Sequence, residues 1–227
     1  MHPITHHHHQ TMFSAKPVLK YFNARGVIEP TRIMFAIKNV DFVDDRFPID
    51  ATTWARPEFD AAKADNVFTA NMDRAPLLIV GDVSIGQSKS IDRFVAKTVG
   101  MLGGSDIEGA QIDMIGEHVR DIKDDYQKKK AGLKDEALAT AQLEFVNVGL
   151  PTWLEKLEKT LPGSQGFAVG SSISLADVYL FGLMAEYFDH KDEVKAHLPK
   201  FPKIGASVDA VQTAAAGWLA SRPVTKL

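Results

Sequence analysis

The run Ala75-Pro76-Leu77-Leu78-Ile79-Val80-Gly81-Asp82-Val83-Ser84-Ile85-Gly86-Gln87-Ser88 constrains this chain more than any other. Gly81-Asp82 reads as a two-residue turn between two short apolar stretches, which is the signature of a β-hairpin. An apolar-periodic segment from Ile91 to Val99 follows at once, so the hairpin must feed directly into a helix. Ser88 stands where an N-cap is expected, beside the free N–H groups of the first turn and the positive end of the helix dipole. Such an end is a seat for a small carboxylate. Taken alone the segment has plain structural readings as well: a proline commonly opens a strand in the trans form, and a serine cap commonly serves only the helix.

Composition excludes several function classes. The 227 residues are 45% hydrophobic and 24% charged, which suits a globular chain with an ordinary core. Residues 1–11, with His2 and His6 to His9, read as an expression tag and are set aside. The other histidines, His118, His190 and His197, are scattered without metal-ligand spacing, so no metal is expected. A net charge of -3 argues against a nucleic-acid surface, and Lys128-Lys129-Lys130 reads as a solvated helix end. With no long apolar run and no signal region after the tag, no membrane span and a cytoplasmic location are expected. The chain has no cysteine, which removes disulfide scaffolds, CxxC redox chemistry and any cysteine nucleophile.

Two halves follow from the pattern. Between residues 16 and 98, strands are expected at Val18 to Phe22 and Phe42 to Phe47, with a helix from Glu29 to Val40 whose first turn tolerates Pro30. Together with the hairpin and its closing helix, this gives a parallel βαβ unit plus an antiparallel hairpin, the pattern of an α/β thioredoxin-like domain. A Gly-rich linker over residues 99–105 leads into an all-α helical domain over residues 106–227. Helices are expected from Ile107 to Lys130, from Leu133 to Leu161 with a kink or break at Pro151, from Leu175 to Asp189, and from Pro202 to Ser221. Ser174 to Asp177 forms a capping box, a structural device worth about 1 kcal/mol.

Tyr21-Phe22-Asn23, Ala75-Pro76 and Gln87-Ser88, followed by Gly170-Ser171-Ser172-Ile173-Ser174-Leu175-Ala176-Asp177, make the chain resemble a cytosolic glutathione transferase. The Lys20-Tyr21-Phe22-Asn23 start and the Ser221-Arg222-Pro223-Val224-Thr225-Lys226-Leu227 end are most similar to the sigma class, which includes glutathione-dependent prostaglandin D synthases. Apart from the tag, the resemblance covers the whole chain.

It implies that glutathione serves as co-substrate and brings the reactive thiol, so that the protein needs none of its own. Tyr21 matches the phenol that donates a hydrogen bond to that sulfur; without the resemblance it reads equally as a packed strand aromatic. The resemblance further implies that Ala75, before a Pro76 that is cis in the family, offers its backbone to the cysteinyl unit. Gln87 and Ser88 would hold the γ-glutamyl carboxylate; Trp54 and Lys63 would hold the glycyl carboxylate, with Arg74 near the same end. The stretch between Trp54 and Lys63 is longer here than in the family.

Asp113, Glu117 and Asp121 recur on one helix face, a stripe that ordinarily faces solvent. In the family an acid at the Asp121 position reaches the partner's ligand in a homodimer. Sigma relatives also hold a divalent ion near here, but Arg120 replaces one of the acids, so no metal is expected. Val27 stands where sigma members carry an Arg that stabilises the thiolate, which implies a less acidic thiol unless Arg25 or a backbone N–H substitutes. Phe22, Tyr179 and Leu227 match positions lining the second-substrate site. Lys123 and Lys128 replace the apolar lining of a prostaglandin synthase. The expected activity is conjugation of glutathione to small hydrophobic electrophiles; the alternatives are a non-catalytic carrier on the same fold or a glutathione-dependent isomerase.

Overall fold

In the computed structural model, residues 13–225 are described; the tag over residues 1–11 and Leu227 lie outside them. Val18–Phe22 (β1) and Val43–Phe47 (β2) pair in parallel, with Tyr21 opposite Arg46 and Phe22 opposite Phe47. Leu77–Val80 (β3) runs antiparallel to β1, and Val83–Gly86 (β4) antiparallel to β3, giving the order β2-β1-β3-β4. Val80 pairs with Val83, which leaves Gly81-Asp82 as the two-residue turn the sequence predicts, with Gly81 at φ +58°. The Ala75–Pro76 peptide is cis.

The first helix, α1, spans Glu29–Ile37 and follows a 3₁₀ turn at Gly26–Ile28, so it stops short of the expected Val40. Between β2 and β3 lies a helix the sequence reading left blank, Pro57–Ala64 (α2), opened by a proline in its first turn. Only Phe59 of α2 is buried, and so weak a stripe leaves little periodicity to read. Phe59 joins Phe47, Phe68 and Leu77 in an aromatic-rich cluster, with Phe22 and Ala75 packed against it. Its ring lies 4.9 Å from Phe68 and 4.8 Å from Phe22, spacings at which aromatic pairs attract beyond their area.

The described residues divide into two compact units, one of residues 13–28, 39–91 and 224–225, the other of Glu29–Lys38 and Asp92–Pro223. The division crosses Ser88–Thr98 (α3) instead of the expected linker, and α1 counts with the helical unit. Within that unit the buried Thr31 of α1 donates its hydroxyl to Asp92 at 2.8 Å.

In the helical unit, Asp106–Lys130 (α4) starts at Ser105, whose hydroxyl accepts from the Glu108 N–H. The expected helix over Leu133 to Leu161 resolves into Asp135–Glu144 (α5), a π-helical turn at Phe145–Gly149, and Leu150–Thr160 (α6). Pro151 has no N–H to continue the ladder, and the preceding residues widen to i→i−5 bonding, with the Leu150 N–H on the Phe145 carbonyl. Leu175–Phe181 (α7) is buried throughout and passes into a second π turn at Gly182–Tyr187. Its capping box forms as predicted: Asp177 accepts from both the N–H and the hydroxyl of Ser174, and also from the Ala168 N–H and the Ser207 hydroxyl. Lys191–Lys195 (α8), Pro202–Ala214 (α9) and Ala216–Ser221 (α10) complete it. Beyond α10, Arg222 clamps Glu29 at 3.0 Å and Glu186 at 2.8 Å, while Trp218 Nε1 donates to the same Glu29.

Candidate functional site

Tyr21 occupies the next-to-last position of β1, half-buried, with its ring 5.4 Å from that of Phe22. Phe22 turns into the Phe59 cluster, as strand alternation requires of neighbours. The chain then bends sharply through Gly26, whose φ of +50° is left-handed. A Cβ there would come within 2.6 Å of Tyr21 Oη and 2.9 Å of its ring. Glycine is therefore needed for the backbone and for the phenol that lies over it. Val27, the next residue, is 53% exposed.

A second group of candidates is tied together by a residue the sequence reading passed over. Asn71, 4% exposed, donates from Nδ2 to the Arg74 carbonyl at 2.9 Å and the Pro76 carbonyl at 2.8 Å. Its Oδ1 accepts the Gln87 N–H at 3.0 Å. Ala75 thus sits between two carbonyls held by one side chain, ahead of a sheet ladder that begins at Leu77. Gln87 has φ +64°, and its carbonyl accepts the Ile91 N–H. This corrects the expected cap: Gln87 holds the N-cap place and Ser88 is the first helical residue of α3. The left-handed Gln87 shifts the start by one residue, which no cap preference reveals.

Trp54 is 56% exposed and also left-handed, at φ 61°. Asp50 builds its turn, accepting from the Thr53 N–H at 2.6 Å and the Thr52 N–H at 2.8 Å, while the Trp54 N–H reaches the Asp50 carbonyl. Those backbone donors, Thr53 first, hold the Asp50 carboxyl below its ordinary pKa. Lys63 lies 3.6 Å from Asp60 and 5.7 Å from the centre of the Phe59 ring, so it borders the cluster that receives Phe22. Arg74 is exposed, with a guanidinium nitrogen 3.8 Å from Met72 sulfur.

The helical unit treats its candidates differently. Asp121 is exposed on α4, but the stripe it belongs to is not simply solvated. Arg93 binds Asp113 at 2.7 Å and Glu117 at 3.4 Å, and Arg120 binds Glu117 at 2.6 Å. The Asp113 hydrogen bond holds the Arg93 guanidinium above its ordinary pKa. Tyr179, expected to line a pocket, is instead a core residue whose hydroxyl donates to the buried Asp92 at 3.0 Å. Its ring leaves no room for a side chain at Gly116, and burial, then Asp92, pushes its pKa far above the phenol range. Leu227 lies outside the described residues. Lys123 packs its ammonium 4.6 Å from the centre of the Tyr187 ring. Among the described residues no group of three or more His, Asp or Glu converges as a metal site, and no helix is long and apolar enough to cross a membrane.

The chain is similar to known proteins in both sequence and fold. Residues 120–222 match the family profile described as glutathione S-transferase, C-terminal domain. The Drosophila melanogaster protein glutathione S-transferase S1 is 31% identical over 216 residues, covering 92% of this chain and 80% of that one. Human hematopoietic prostaglandin D synthase is 26% identical over 211 residues, covering 92% and 98%. Among solved structures, that of a monomeric glutathione S-transferase from the hookworm Necator americanus aligns with a TM-score of 0.78 at 25% identity, covering 94% of this chain and all of the other.

Proposed function

Because the chain belongs to the glutathione S-transferase family, we propose that it conjugates glutathione to small hydrophobic electrophiles by tyrosine-type activation, in the manner of the sigma class. The observation that carries this is the seating of Tyr21 Oη against the bare backbone of Gly26 at the end of β1. The phenol donates its hydrogen to the glutathione sulfur, and the thiol proton leaves to solvent. The thiolate lone pair forms a new carbon–sulfur bond as the leaving group departs with its electron pair. A hydrogen bond to a charged group is worth about 1.5–3 kcal/mol, so the thiol drops by roughly one to two pKa units from about 8.5. Val27 supplies no cation, which keeps the shift at the small end.

The peptide is held by complementary groups. Ala75 offers its N–H and C=O to the cysteinyl unit beside Pro76, and Gln87 with Ser88 takes the γ-glutamyl carboxylate at the α3 N-terminus. Trp54, Lys63 and Arg74 receive the glycyl end, Lys63 after release from Asp60. Phe22 borders the electrophile. In a homodimer, Asp121 reaches the γ-glutamyl ammonium of the partner's ligand, and the enzyme works in the cytoplasm.

Retention on glutathione-agarose followed by turnover of an aryl halide tests the reading. Retention without turnover would instead favour a carrier. The likeness to human prostaglandin D synthase supports isomerisation as a second reading, and production of prostaglandin D from its endoperoxide precursor would establish it.

A further inference from the structure

We propose that Asn71 is a positioning residue of the glutathione site, a side chain that sets the Ala75 segment and the Gln87 turn at a fixed distance from each other. The inference rests on the functional reading above, in which those stretches bind different parts of the tripeptide. Asn71 itself touches no ligand. Both Nδ2 hydrogens are used, on the carbonyls of Arg74 and Pro76, and Oδ1 takes the Gln87 N–H, so the amide has one allowed orientation.

The turn it closes needs such a clamp. The Arg74 N–H returns to the Asn71 carbonyl, and between them Met72 (φ 52°) and Asp73 (φ 58°) are both left-handed without being glycine. Two consecutive residues in that region persist only where the surroundings over-determine them. Met72 is 78% exposed and brings little packing to the task. The space is fitted from the other side as well: a Cβ on Gly86 would lie 2.5 Å from the Cβ and Oδ1 of Asn71. Gly86 and Gln87 therefore meet Asn71 at close quarters, one by having no side chain and the other by donating its N–H.

Asn71→Asp separates positioning from bulk, because the shape is kept while an ionised carboxylate faces two carbonyl oxygens. Gly86→Ala crowds Asn71 without altering it. The probe is S-methylglutathione in titration calorimetry, with thermal melts of each variant and steady-state kinetics against glutathione and an aryl halide. Both variants should keep a cooperative melt and bind the probe roughly 10- to 100-fold more weakly than the parent. The KM for glutathione should rise in parallel, with kcat at saturation within about threefold and KM for the halide unchanged. For Asn71→Asp, binding should recover relative to the parent as pH falls towards about 5, since a protonated carboxyl can donate again.

Parent-like affinity in both folded variants would overturn the proposal, and so would loss of the native fold in both, which would assign Asn71 to folding alone. A parent that gives no heat with S-methylglutathione would instead overturn the functional reading, and this inference with it.

Discussion

His197 Nε2 stands 3.0 Å from the carbonyl oxygen of Val146 and closes a gap that Pro151 opens in the helix ladder. In the π turn the Leu150 N–H serves Phe145, and the next donor in line would belong to residue 151, where proline has none. The Val146 residue is fully buried, so its carbonyl needs a partner, and a carbonyl can only accept; Nε2 must carry the proton. His197→Ala should cost about 1–3 kcal/mol in urea unfolding. In a double-mutant cycle, Pro151→Ala should recover part of that loss, because the new N–H can reach Val146; purely additive changes would count against this account.

Tyr21→Phe should keep the melting temperature and lower kcat/KM for aryl-halide conjugation roughly 10-fold or more, with the thiol titrating at higher pH. Gly26→Ala should reach a similar rate loss by another route, since its Cβ would displace the Tyr21 hydroxyl. It should also lower stability by about 1 kcal/mol, because Ala resists φ +50°. Unchanged kinetics in both variants would remove Tyr21 from the mechanism.

Arg222 satisfies two acidic side chains at once, Glu29 and Glu186, and is itself largely buried. Arg222→Ala should therefore destabilise the helical unit by about 3 kcal/mol, because it removes a cation that two largely buried carboxylates share. Chemical denaturation measures the loss. Glu29 keeps Trp218 Nε1 and Arg32 as partners in the variant.

Tyr126 sets an alkaline limit. Burial first, and then Asp189 beside its hydroxyl at 3.4 Å, push its pKa from the ordinary 10.0 to about 12. The native state thus prefers the neutral phenol. Its contribution is complete below pH 10 and drains away as pH rises from there through about 12. Tyr126→Phe should flatten the fall in unfolding free energy across that window, measured by urea titrations at a series of pH values.

Much of the frame was legible because its signals are local. The Gly81-Asp82 turn, the β1 strand and the Ser174–Asp177 box each depend on a few neighbouring residues, and each stands where the pattern puts it. Elements set by distant partners were not. Two π turns arise where ladders lose register, one of them before Pro151, and periodicity averages over such a shift. Tyr179 was expected at the second-substrate site only through the resemblance, and nothing local announces its bond to Asp92, 87 positions away in sequence. Around the candidate site, Trp54, Met72, Asp73 and Gln87 are all left-handed without being glycine, so turn chemistry gives no warning of them. Asn71 was invisible for the same reason: a lone asparagine announces nothing until its three backbone partners are in view.

The exposed, left-handed Trp54 gives the chain an optical reporter. The other two indoles, Trp153 on Asp125 and Trp218 on Glu29, are hydrogen-bonded within the helical unit. Trp54 should therefore be the indole most open to acrylamide, and a fall in its quenching on addition of glutathione would register peptide arrival without any added dye.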